Sequence, residues 1–180
     1  MRNLYKNSKD NSFRYVLGVN GANPLIFFGI NPSTATSETY DKTIMKVESI
    51  AKIKKYDSWI MLNIYSQRAT NPDNLDETLN TIRHKTNKSC INAILQNNST
   101  IVAAWGNNIK KRPYLIDCLR NIIKDISGKK LKWYCIGDLS KKGNPKHPLY
   151  LRTDENLNIF DIEYYVKNYD EKYGGIKQNK

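Results

Sequence analysis

Three polar residues stand in or just after apolar runs: Asn31 in GINPSTA (29–35), Asn63 in WIMLNIY (59–65) and His147 in KHPLYL (146–151). Brought to one rim, they could hold a water, grip a heterocycle and stabilise a developing negative charge. The Asn31 carboxamide can orient a water but cannot take its proton as a carboxylate does, so any chemistry it supports is slow. Asp41 is the candidate base if its loop folds back, and equally a candidate N-cap for a helix starting there. An unpaired amide at Asn63 would cost about 1–3 kcal/mol within an apolar strand. Its partners are either a structural network or a base, since one amide donor and one acceptor match the O4 and N3–H edge of uracil. His147 as a neutral imidazole would offer a donor nitrogen; the alternative is a His-Pro turn residue holding its own backbone.

The neighbouring residues suit a phosphate-bearing ligand. Gly106 and Asn107, at the start of a helix, would offer backbone amides to phosphate, aided by Lys110 and Lys111, and Ser33 and Thr34 could contact phosphate or sugar. Leu149, Tyr150 and Leu151 read either as a wedge that fills a base stack or as a core-facing return strand, with Lys141, Lys142 and Lys146 beside them. The second histidine, His84, lies between Arg83 and Lys85 and reads as solvated. Cys90, Cys118 and Cys135 have no CxxC or Cys/His spacing, which points to buried or idle thiols and to neither a metal site nor a disulfide framework. No cofactor is expected.

These positions need strands and helices to hold them. Residues 13–19 and 25–30 are apolar runs separated by NGANP, which predicts an antiparallel hairpin. The runs 25–30, 59–65, 100–104 and 131–136 are nearly continuous in hydrophobicity, as in parallel strands covered on both faces. Helical periodicity appears over about 41–54 (Ile44, Val47, Ile50, Ala51), 75–96 (Leu75, Leu79, Ile82, Ile91, Ala93, Leu95) and 107–126 (Leu115, Leu119, Ile122). The alternation predicts a three-layer α/β/α fold with a central, mainly parallel four-stranded sheet plus an N-terminal antiparallel hairpin strand. In such a sheet, ligands gather at the carboxyl ends of the strands, where the motifs fall.

With 180 residues the chain suits one core, read as a domain over 1–163 and a polar, flexible tail over 164–180. No run approaches the roughly 18 apolar residues of a membrane span, and MRNLYKNSKDNS lacks a signal-peptide core, so a cytoplasmic protein is expected. Twenty-nine Lys plus Arg against seventeen Asp plus Glu leave a charge of +12, which draws polyanions, although an AT-rich genome accounts for part of the lysine excess.

The four strand-end segments, in this order, resemble the signature segments of the uracil-DNA glycosylase superfamily. GINPST is similar to its water-activating loop, IMLNIYSQRA to the strand whose asparagine reads the flipped base, IVAAWGNNIKK to a strand and turn, and KHPLYL to its HPSPLS loop. NPSTA, AAWG and HPLYL also resemble a bacterial and phage domain of unknown function, out to about residue 152. The resemblance implies Asn31, Asp41 and His147 as catalytic residues, with Gly29, Pro32, Ser33, Thr34 and Asn63 around the substrate. Tyr40 and Tyr65 are candidates for the aromatic that stacks on the base. Where the uracil-excising branch has an aromatic after the proline, Ser33 stands here, which admits a larger or modified base. The expectation is a DNA glycosylase-like protein, favoured as a monomer, that takes DNA or a nucleotide as partner and hydrolyses a base–sugar bond. A non-catalytic nucleic-acid-binding module and an enzyme acting on a small nucleotide or phosphorylated metabolite are the alternatives.

Overall fold

The computed structural model describes residues 3–97 and 99–173. Seven strands form one sheet: β1 (Asn3–Asn7), β2 (Arg14–Val19), β3 (Pro24–Gly29), β4 (Ser58–Asn63), β5 (Thr100–Ala103), β6 (Lys132–Ile136) and β7 (Leu157–Ile159), in the order β1-β2-β4-β3-β5-β6-β7. The four apolar runs make its parallel middle, with β3 between β4 and β5 and β6 next to β5. The sheet is larger than the expected four strands because antiparallel strands are added at both edges: β2 and β1 beyond β4, and β7 beyond β6.

The expected hairpin of residues 13–19 with 25–30 does not form. β4 lies between the two strands, and β2 instead makes its hairpin with β1, from Asn3↔Val19 to Asn7↔Arg14. β3 is apolar at successive positions, so it is most stable with a strand on each side and a layer over each face. Leu25 and Phe27 enter the core shared with Ile44, Val47 and Ile50; Ile26 and Phe28 enter the opposite core with Leu115, Leu119 and Ile122. β2 can lie against β4 because Gly18 has no side chain: a Cβ there would stand 2.6 Å from the Trp59 carbonyl oxygen.

Helix α1 (Lys42–Ile53) packs on one face of the sheet, and α2 (Thr81–Ile94) and α3 (Tyr114–Ile126) on the other. The long periodic stretches expected at 75–96 and 107–126 are each broken. Asn80 caps α2 by accepting from the Arg83 amide, so residues before it are loop, and Ile82, expected on the apolar face, is 77% exposed. Residues 106–110 form a 3-10 turn, and Pro113 precedes the first turn of α3.

The start of α2 at residue 81 sets its phase, and His84, Asn87 and Ile91 face inward. His84 is therefore not solvated; it is 4% exposed, and burial lowers its pKa to about 4. The unfolded chain takes up this proton first, so stability is lost as pH falls below about 6.5, and the loss is complete below about 4. The expected size is about 3 kcal/mol at the full shift. Denaturant titrations across this range should show the loss in the wild type and a flatter profile in His84→Leu.

The packed structure continues past residue 163. Helix α4 (Ile162–Lys167) carries Tyr165 and Val166 into the core, and Tyr169 follows within a π turn. Tyr165 packs its ring on Trp105, Phe160 and Tyr169, which is why an apparently polar segment is held. The rest of the expected tail, 174–180, lies outside the described residues. All three cysteines are buried free thiols, and burial pushes Cys118 up to about 12. Among the described residues no helix is long and apolar enough to cross a membrane.

Candidate functional site

The loops after β3 and β4 run together away from the sheet. The Ile64 amide donates to Gly29, Tyr65 to Ile30, and Ala69 to Pro32, so the parallel ladder continues as a zipper of two loops. Two arginines fix the outer part of the first loop. Arg14 Nη1 donates to the Ala35 carbonyl at 2.9 Å, and Arg68 Nη2 donates to the Thr34 carbonyl at 2.7 Å. The chain then turns into α1, whose first residues Lys42, Thr43 and Ile44 face the same space.

That space is a cavity of about 450 Å³. Its lining includes Gly29, Asn31, Ser33, Thr34, Asp41 and His147. Asn31 Nδ2 donates to the Ala69 carbonyl at 2.8 Å and the Pro32 carbonyl at 3.0 Å. Both amide protons are engaged, so the side chain presents its carbonyl oxygen, an acceptor suited to orienting water. Asp41 is the N-cap of α1, accepting from the Ile44 amide at 2.9 Å, and it also lines the cavity. The N-cap reading of Asp41 is thus what the structure shows, with the same residue on the cavity wall.

His147 caps the 3-10 turn Pro148–Tyr150, its Nδ1 accepting from the Leu149 amide at 3.4 Å. An accepting Nδ1 leaves the proton on Nε2. Burial lowers the imidazole pKa and the charge of Asp41 opposes that shift, so the ring is a neutral donor at neutral pH. The turn that His147 initiates is held against the end of β5. Gly106 donates its amide to the Pro145 carbonyl, and Asn107 Oδ1 accepts from Asn144 Nδ2 and Ser140 Oγ. Asn144 Oδ1 in turn accepts from Tyr165, which accepts from Trp105 Nε1.

Asn63 does not line the cavity but lies under its floor. It is 1% exposed, and neither polar atom of its side chain has a hydrogen-bond partner among the described residues. Gly29, its ladder neighbour, separates it from the open space: a Cβ on Gly29 would stand 2.9 Å from Asn63 Oδ1 and 2.5 Å from Met61 Cε. Gly29 and Met61 both line the cavity. A side chain at 29 would therefore crowd the Asn63 amide, which stays buried.

Several expected site residues are elsewhere. Tyr65 is in the core, with its hydroxyl accepting from the Asn80 amide, and Tyr40 packs edge-on against Trp59; neither lines the cavity. Pro32 is buried beside it. The Gly106 amide and Asn107 Oδ1 are engaged as described, Lys111 pairs with Asp73 at 2.7 Å, and Gly106, Asn107, Lys110, Lys142 and Lys146 do not line the cavity, so these residues form no phosphate seat on it. Leu149 and Tyr150 are exposed at the cavity mouth, Tyr150 at 81%, whereas Leu151 is buried in the core with Leu17 and Val47. The return strand does not form, since Pro148–Tyr150 is a 3-10 turn and Leu151 follows it as a bend, although Leu151 does face the core.

Arg14, Lys42, Thr70 and Asn108 line the cavity without having been singled out by sequence. A lone arginine in the apolar run FRYVLGV was the available signal for the first. Among the described residues no group of three or more His, Cys, Asp or Glu side chains could hold a metal ion. The model of a family described as "Protein of unknown function (DUF1643)" matches residues 14–149, which takes in all four cavity loops as far as Leu149. No curated protein and no solved structure matches the chain.

Proposed function

The chain belongs to the DUF1643 family of proteins of unknown function, and from its cavity we propose that it binds a nucleotide, free or flipped from nucleic acid, and hydrolyses the base–sugar bond. The carrying observation is that Asn31, Asp41 and His147 line one cavity above the unpartnered amide of Asn63. A volume of about 450 Å³ is within the usual range for a small-molecule site.

In this reading the base enters over Gly29 and meets the Asn63 amide, with Tyr150 the aromatic at the mouth. The Asn31 carbonyl oxygen and the Asp41 carboxylate orient a water toward the sugar. As the C–N bond breaks, the electron pair leaves with the base, and the base oxygen accepts from His147 Nε2–H. Water adds its hydroxyl to the sugar carbon and its second proton passes to solvent or to the base. The resemblance of the strand-end segments to those of uracil-DNA glycosylases supports the same assignment.

The test is incubation with duplex DNA, single-stranded DNA and free nucleotides carrying uracil or modified bases. Abasic or free-sugar product is expected, with Asn31→Ala and His147→Ala each slower by about 10²–10³-fold, the usual cost of losing one preorganised group at a developing charge. Because the imidazole acts neutral and its pKa is lowered, the rate should stay level as pH falls through 6.5 and decline only below the lowered value. Absence of product from every substrate would exclude the hydrolytic reading.

A second reading, a non-catalytic nucleotide or nucleic-acid binder, is favoured by one feature. Asp41, the carboxylate in the cavity, already accepts from the Ile44 amide, and Asn31 cannot act as a base. It is distinguished by ligand binding that survives Asn31→Ala with no product at any pH.

A further inference from the structure

Arg14 is 2% exposed and lines the cavity. Its Nη1 is engaged by the Ala35 carbonyl; Nε and Nη2 make no hydrogen bond to the described residues, and no carboxylate among them forms an ion pair with Arg14. A buried guanidinium with one of its five N–H donors engaged is costly unless an anion completes it. Burial lowers its pKa to about 10, which leaves it charged at neutral pH. Arg68 repels it and Asp41 attracts it.

The second half of the feature is the start of α1, a twelve-residue helix. Asp41 caps the Ile44 amide, while the Lys42 and Thr43 amides make no hydrogen bond to the described residues, and both residues line the cavity. Unpaired first-turn amides and the positive end of the helix dipole favour an anion. The charged lining consists of Arg14, Lys42 and Asp41, a net positive surface.

We propose that Arg14 and the first turn of α1 form a phosphate site inside the cavity, and that the ligand is a nucleotide carrying a phosphomonoester. This rests on the nucleotide reading above and deepens it. The non-bridging oxygens of a phosphate can take the guanidinium fork, the two amides and Lys42 together, a match a single carboxylate cannot make in full. The depth of Arg14 selects the monoester: an internal phosphodiester continues as chain on both sides and would have to thread through the cavity.

The test is calorimetric titration of the full chain with the four 2′-deoxynucleosides and deoxyuridine, their 5′-monophosphates, inorganic pyrophosphate, and an oligonucleotide of internal diesters. At least one monophosphate is expected to bind about 10–100-fold more tightly than its nucleoside, the effect of adding a charged hydrogen-bonded pair. Arg14→Gln should erase that ratio while the nucleoside still binds. Asn63→Ala should weaken nucleoside and nucleotide alike and preserve it. A wild-type ratio near one, binding of the oligonucleotide alone, or no binding by any of the probes overturns the phosphate site. So does an Arg14→Gln protein that loses both ligands equally, since that is what merely holding the Ala35 loop would produce. Should Arg14→Gln not fold, the wild-type ratio at low and high salt decides, because a charge contact must shrink it. Phosphate-dependent binding with no preference among bases would keep the anion site and end the base pocket instead.

Discussion

Asn63→Ala is expected to leave the fold within about 1 kcal/mol of the wild type while lowering nucleotide affinity about a hundredfold. An ordinary buried asparagine is held by several hydrogen bonds, and removing it orphans their other ends. Asn63 has no such partners among the described residues: its amide is shut under Gly29 with both polar atoms unused. Such a group costs about 1–3 kcal/mol in the ligand-free protein, so its removal offsets the packing lost with it. Affinity changes in the other direction, because two hydrogen bonds to a buried base edge go at once. Paired denaturation and titration experiments read the two effects separately. A loss of more than about 2 kcal/mol in stability would show that a structural network holds the amide and that the base-reading role is wrong.

Trp105→Ala is expected to have the largest effect on stability, about 3–5 kcal/mol, as for other large aromatic truncations in a packed core. The side chain is fully buried, packs against Phe160 and Tyr165, and donates to the Tyr165 hydroxyl at 3.2 Å. That hydroxyl donates to Asn144 at 2.6 Å, and Asn144, in the loop leading to His147, is tied to Asn107. The same substitution should therefore weaken ligand binding without touching the ligand. Tyr165→Phe isolates the polar part: it removes the hydroxyl and keeps the ring, with an expected cost of about 1–3 kcal/mol. Thermal melts with and without nucleotide distinguish the two. Nucleotide protection unchanged in both variants would show that the network supports the core and not the loop.

The parallel middle of the sheet was legible because continuous apolar runs at 25–30, 59–65, 100–104 and 131–136 have few alternatives to a doubly covered strand. Pairing was not. The NGANP spacer is compatible with a hairpin, and nothing local shows that residues 58–63 will insert between the strands it joins. The edge strands Asn3–Asn7 and Leu157–Ile159 are short and largely exposed, so their pairing depends on the neighbour they dock against. Helix phase was misread where capping sets the register: with the start of α2 at 81, His84 turns from solvent to core.

Within the site, Asn31, Asp41, Ser33, Thr34 and His147 were found because strand-end loops are where chemistry is placed in such sheets. Arg14 escaped because it reaches the cavity from the first residue of β2, an antiparallel strand, outside that rule. Gly106, Lys110 and Lys111 had the composition of a phosphate loop, but a neighbouring loop already takes the Gly106 amide and Asp73 takes Lys111. Composition shows which donors exist and not which are already in use.

The insertion of β4 between β2 and β3 also sets an order for synthesis. A nascent chain that has emerged only as far as α1 can pair β1 with β2 but has no partner for β3, which is almost wholly apolar. Until residues 58–63 leave the ribosome, that segment remains an open edge available to other chains. Translation stalled between α1 and β4 should therefore be the point at which this protein aggregates or recruits a chaperone.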